Sequence, residues 1–214
     1  MPIQRKKVLQ KEHAHEKTLI EKIKQYFEEQ GQKIVSDKKK QFAFFILGFV
    51  LFYMVLSTAI LFVPSETYKT ITGGTVQALL SIQGAKTVGG GLTECTEANW
   101  LGMETKSNCY SFGVEGKTII ISWLCTGILE IIILVSAILS SFGINWGKKI
   151  FGAFAAIIAG IIFNLFRIWV TVNIVLTQNI QVVELAHDFL FKIVLFIYIT
   201  GFYIAWFYWA MRKK

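Results

Sequence analysis

Apolar residues in this chain gather into long unbroken runs instead of recurring at the spacing of half-buried helices or strands. Four runs, about 41–63, 119–139, 150–176 and 189–210, each hold some twenty residues with few charges. That is the length a helix needs to cross a hydrocarbon core of about 30 Å. The polar segment 64–118 between the first two is too long for a plain connection. It predicts a short helix over 66–83, a flexible turn at "VGGG" (88–91), and a small β-hairpin over "YSFGVEGKTIII" leading into the second run. Ahead of the first run, residues 4–37 carry Leu19, Ile20, Ile23, Tyr26, Phe27 and Ile34 at three-to-four spacing. This is the pattern of an amphipathic helix lying on the inner leaflet, or of a solvated charged arm.

The pattern predicts an all-α integral membrane protein with about four transmembrane helices. A cytoplasmic charged and amphipathic arm occupies 1–40, and a membrane-embedded domain occupies 41–214, with 64–118 as its outer loop. Composition agrees: 54% of residues are hydrophobic, mean hydropathy is +0.52, and there are only two prolines. Forty strongly charged residues before the first run do not have the form of a cleavable signal peptide.

A net charge of +8 raises the question of nucleic acid, and its distribution answers it. Eleven Lys/Arg lie in residues 1–40, Lys148 and Lys149 in the third connection, and Arg212, Lys213 and Lys214 at the tail. Residues 64–118 hold four and 177–186 none. The positive-inside rule places both termini in the cytoplasm and the other two loops outside, in the cell membrane. Nucleic acid is not needed as a partner.

Candidate chemistry sits on this map. Cys95 and Cys109 fall in the outer loop, where a disulfide is permitted. It would close a loop of about 15 residues, worth about 3 kcal/mol. Cys125, in the second run, is then the odd thiol, either inert packing or a reactive group. The third run holds Arg167, an expensive residue at membrane depth, with Asn164 and Thr171 on its face at i, i+3 and i+7. Gly152, Ala156 and Gly160 continue that face as small residues that admit a neighbouring helix. His187 stands at the outer edge of the fourth run, with Asp188 or Glu184 available to orient it, although Asp188 also suits a local ion pair with Lys192. Counted along the runs, Cys125, Arg167 and His187 meet at one level near the outer face. Glu130, five residues and about 140° from Cys125 on a continuous helix, reads as a buried packing or substrate-contact residue off that face. No metal motif, Walker loop or Gly-x-Ser-x-Gly turn is present, so no metal or cofactor is expected.

"CTGILE", "NLFRI" and the histidine of "AHDF" resemble the Cys, Asn-x-x-Arg and His blocks of exosortases and archaeosortases, in the same order on three successive spans. Many members have more spans than four, which points to a compact archaeosortase-like form. The resemblance implies a membrane-embedded cysteine transpeptidase, a thiol protease or hydrolase by chemistry. Cys125 would be the nucleophile, Arg167 the stabiliser of the oxyanion and His187 the general acid/base, with Asn164, Gly127 and Asp188 in support. The substrate would be an exported protein carrying a C-terminal sorting signal: a short motif, a transmembrane helix and a basic tail. Cleavage at the outer face would leave a thioester on the enzyme, resolved by an amine, a membrane lipid or water, for protein sorting to the surface. The competing readings are a non-catalytic small transporter or membrane assembly partner, in which Arg167 binds an anion, and a membrane acyltransferase.

Overall fold

In the computed structural model the described residues are 38–98, 104–177 and 191–212. The predicted amphipathic arm lies outside them. The chain divides into two units, Met1–Leu47 and Gly48–Lys214, and the site lies wholly in the second.

Five helices are described: α1 (Lys38–Ile60), α2 (Ser65–Ile82), α3 (Ile128–Ser140), α4 (Trp146–Thr177) and α5 (Phe191–Met211). Between α2 and α3 lie the strands β1 (Thr87–Ala98), β2 (Glu104–Val114) and β3 (Lys117–Ile121), followed by a 3₁₀ turn over Trp123–Thr126. Three helices, α1, α4 and α5, are long and apolar enough to cross a membrane. Leu51, Met54, Phe154, Phe166, Phe196 and Tyr208 on these helices are more than half exposed. Apolar surface of that extent is an aggregation hazard in water and an ordinary outer wall in lipid.

Segment 64–118 is more structured than its sequence predicts. The helix expected over 66–83 is α2, and the expected hairpin is β2–β3, closed by Glu115 and Gly116 at φ +48° and +80°. Positive φ at both central positions makes a type I′ turn, whose twist matches the strands, and glycine adopts it without strain. The stretch read as a flexible turn, "VGGG", instead opens a third strand. β1 pairs antiparallel with β2 along Thr87–Ala98, with a register shift between Val88 and Gly91, in the sheet order β1-β2-β3. The all-α expectation is corrected accordingly: the protein is mostly helical and carries a three-stranded sheet. Cys95 and Cys109 are joined by a disulfide across β1 and β2, with Cα atoms 5.8 Å apart.

The second run also departs from expectation. It is not one helix over 119–139: Ile119–Ile121 complete β3, the 3₁₀ turn follows, and α3 has only 13 residues. The isoleucines have β-branched side chains that suit a strand, and β2 offers them a pairing edge.

Two cores result. Val76, Leu80, Phe112, Val114, Ile121 and Ile168 bind α2, the sheet and the C-terminal half of α4. Leu134, Ile138, Ala156 and Trp206 bind α3, α4 and α5. On α4 the buried residues Lys149, Gly152, Ala156, Gly160, Asn164 and Ile168 form one continuous stripe. Gly152 lies under Trp206, and a Cβ on Gly160 would come within 2.5 Å of Ile131. At the basic end, Lys149 Nζ donates to Leu139 O at 3.0 Å and Lys148 Nζ to Ala210 O at 2.7 Å. These ammonium groups cap the C-terminal carbonyls of α3 and α5, where the helix dipoles are negative.

Candidate active site at the head of α3

The nucleophile candidate is held by a turn that its own hydrogen bonds and two other elements pin down. Cys125 N–H donates to Ser122 O at 3.0 Å, and Thr126 Oγ1 donates to Trp123 O at 2.7 Å, which closes the 3₁₀ turn. From the sheet, Glu97 Oε2 accepts the Trp123 N–H at 2.8 Å. From α4, Asn164 Nδ2 donates to Cys125 O at 3.0 Å. Gly127 then takes φ +74° and turns the chain into α3. A Cβ there would lie 2.5 Å from Asn164 Cγ, so the position excludes a side chain on two grounds. Gly127→Ala is expected to lower stability by about 1–3 kcal/mol, the range for a non-glycine residue forced into such a conformation. Thermal unfolding in detergent measures it, and faster alkylation of Cys125 should report the loosened turn.

Cys125 is the free cysteine, half-buried, with Ser122 Oγ 3.4 Å from its sulfur. It lines a cavity of about 460 Å³, within the range of ligand sites. The same cavity is lined by Glu130 of α3, Arg167 and Thr171 of α4, and Lys192 of α5. Cys125, Gly127, Asn164 and Arg167 are thus brought together. His187 and Asp188, with Glu184, lie outside the described residues.

Arg167 has a partner the sequence did not announce. Its Nη1 donates to Glu130 Oε1 at 3.4 Å, with the two side chains only 17% and 19% exposed. Placing Glu130 on a face away from Cys125 is therefore corrected. The angular count assumed one continuous helix, but the 3₁₀ turn and the left-handed Gly127 break it, so both residues reach one cavity. The carboxylate fixes one end of the guanidinium and offsets its charge where water is scarce. A guanidinium has five N–H groups, so donors remain for a second oxygen. Thr171, predicted on the same face, donates its hydroxyl to Arg167 O at 2.8 Å.

Compared with models of protein families, with curated proteins and with solved structures, the chain matches none.

Proposed function

We propose that this chain is a membrane-embedded cysteine transpeptidase or peptidase of the exosortase and archaeosortase kind. One observation carries the reading: the free thiol of Cys125 and the guanidinium of Arg167 line one cavity, with Asn164 bonded to the turn that holds the thiol. In this mechanism the Cys125 thiolate attacks a peptide carbonyl, and Arg167 donates to the oxygen as it gains charge. His187 returns the proton to the leaving amine. The thioester on Cys125 is then resolved by an amine, a lipid or water. Glu130 holds Arg167 in place.

Helix lengths support a site near the outer membrane face. With 32 residues, α4 spans about 48 Å, well beyond the bilayer core. The 13 residues of α3 rise about 20 Å, and the 3₁₀ turn, set at an angle by Gly127, adds at most about 8 Å. Together they make the second crossing, bringing the total to four. Cys125 then sits at the outer boundary, and the far end of α4 stands clear of lipid beside the sheet. Both termini are cytoplasmic in this arrangement, by the distribution of basic residues.

The test is acid-quenched incubation of the chain, in membranes, with exported proteins that end in a transmembrane helix and a basic tail. The expected result is a hydroxylamine-sensitive acyl adduct on Cys125, found by mass spectrometry and missing in Cys125→Ala. Cleavage that persists in Cys125→Ala, or the lack of any adduct on the parent, would end the proposal.

A further inference from the structure

Resting on that reading, we infer that the free edge of β3 is the docking rail for the segment to be cut, which binds there as an added β-strand. Among the described residues β3 is the last strand of the sheet and pairs only with β2. The two-residue turn makes Val114 and Lys117 a hydrogen-bonded pair, so by alternation Phe112–Ile119 and Tyr110–Ile121 are bonded as well. Thr118 and Ile120 therefore direct their N–H and C=O groups away from β2. Among the described residues nothing bonds to those groups.

The cavity runs along this edge. Thr118, Ile119, Ile120 and Ile121 all line it, and Cys125 follows in the same wall. Side chains alternate between the faces of a strand, so a cavity touching one face would be lined by every second residue. Four in succession mean that it follows the backbone. Its opposite wall is α4, through Thr171, Val172 and Val175. The result is a channel with a strand edge on one side and a helix on the other, ending at the thiol and the Arg167 donors.

Edges of this kind are usually guarded by a charge, a proline or a bulge. Residues 118–121 contain none of these, and the neighbouring Lys117 reaches across to α4, its Nζ donating to Val175 O, so its charge is tied to the opposite wall at the turn end of β3 and leaves the edge at 118–121 unguarded. An extended peptide supplies what the edge lacks: alternate N–H and C=O groups to pair with Thr118 and Ile120, and β-branched or apolar side chains against the channel walls. Main-chain pairing carries the strand toward Cys125 and delivers a carbonyl in fixed register.

The experiment uses hexapeptide vinyl sulfones of alternating Thr and Val as probes, with the full chain in detergent micelles. Two further probes carry N-methyl groups on the odd or on the even residues. Neighbouring N–H groups of a strand point to opposite edges, so one methylated series should label Cys125 about tenfold or more slower than the parent peptide, and the other should match it. Ile120→Pro removes an N–H that β2 does not use. It should abolish the difference between the two series while iodoacetamide labels Cys125 at an unchanged rate. Equal rates for all three peptides, or equal slowing by both methylated series, would overturn the proposal, whether or not Ile120→Pro folds. Should Cys125 prove inert to every reagent, the transpeptidase reading falls. The edge is then judged by hydrogen exchange with the saturated ethyl sulfone peptide: protection of the Thr118 and Ile120 amides upholds it and lack of protection ends it. Protection without peptide in a dimeric sample would assign the edge to a second copy and also reject the proposal.

Discussion

Lys69→Met is expected to lower the unfolding free energy by about 3–5 kcal/mol, the range for removing one partner of a buried ion pair. Lys69 is fully buried, and its three ammonium donors meet three acceptors: Glu97 Oε1 at 2.6 Å, Ser107 Oγ at 2.8 Å and Asn108 O at 2.9 Å. Its removal strands a carboxylate that is only 12% exposed. Glu97→Gln should be costly for the complementary reason, since it leaves the ammonium buried without a counter-charge. The double variant Lys69→Met/Glu97→Gln should recover much of the loss, because it buries no charge and the glutamine oxygen can still accept the Trp123 N–H. Equilibrium unfolding in mixed micelles measures all three. A double variant no more stable than either single one would mean that packing around Lys69, and not its charge, holds α2 to the sheet.

The same pair sets an acid limit. Burial pushes the Glu97 carboxyl up, but the hydrogen bonds from Lys69, the Trp123 N–H and Ser107, with the charge of Lys69, outweigh it and hold the group below its ordinary value. The folded state then binds fewer protons than the unfolded one. This contribution is complete above the ordinary carboxylate pKa of about 4.3 and is lost as pH falls through the lowered folded value. Acid unfolding of the parent should therefore steepen below about pH 4, and the Lys69→Met profile should be flatter there. Since Glu97 also holds the 3₁₀ turn, acid that releases it should free Cys125 in the same range.

How legible these features were depended on how local their causes are. Helices α1, α4 and α5 follow from runs of about twenty apolar residues, and the hairpin from Glu115–Gly116 between β-prone stretches. β1 was hidden because three consecutive glycines have little strand preference of their own; pairing with β2 imposes the conformation. The break within 119–139 was hidden for the opposite reason, since an apolar run reads alike as helix or as strand and turn. Gly127 was the one local signal. Cys125, Asn164 and Arg167 could be gathered because each is an unusual residue in an apolar run. Lys69 and Glu97, 28 residues apart in a polar loop, look like surface charges until α2 is laid on the sheet.

Arg167→Lys is expected to slow acyl transfer to Cys125 by about 10²-fold or more, the scale seen when an oxyanion donor is removed. Lysine keeps the positive charge, but not the planar fork that can engage Glu130 with one N–H and a carbonyl oxygen with another. The measurement needs no natural substrate. An acetyl-dipeptide nitrophenyl ester forms a tetrahedral oxyanion on its way to the thioester, whereas iodoacetamide alkylates the same thiol without one. The Arg167→Lys defect should appear in the ester reaction and be nearly absent from the alkylation. Glu130→Gln keeps the shape and an acceptor, so it should lie between the parent and Arg167→Lys. Glu130→Ala, which leaves the guanidinium free to turn away, should approach the arginine variant, since a misplacement of about 1 Å is enough for such losses. If both reactions slow together in Arg167→Lys, the arginine acts on the thiol itself as a charge. If neither slows, Arg167 and Glu130 are a membrane-depth ion pair that holds α3 to α4 and takes no part in the chemistry.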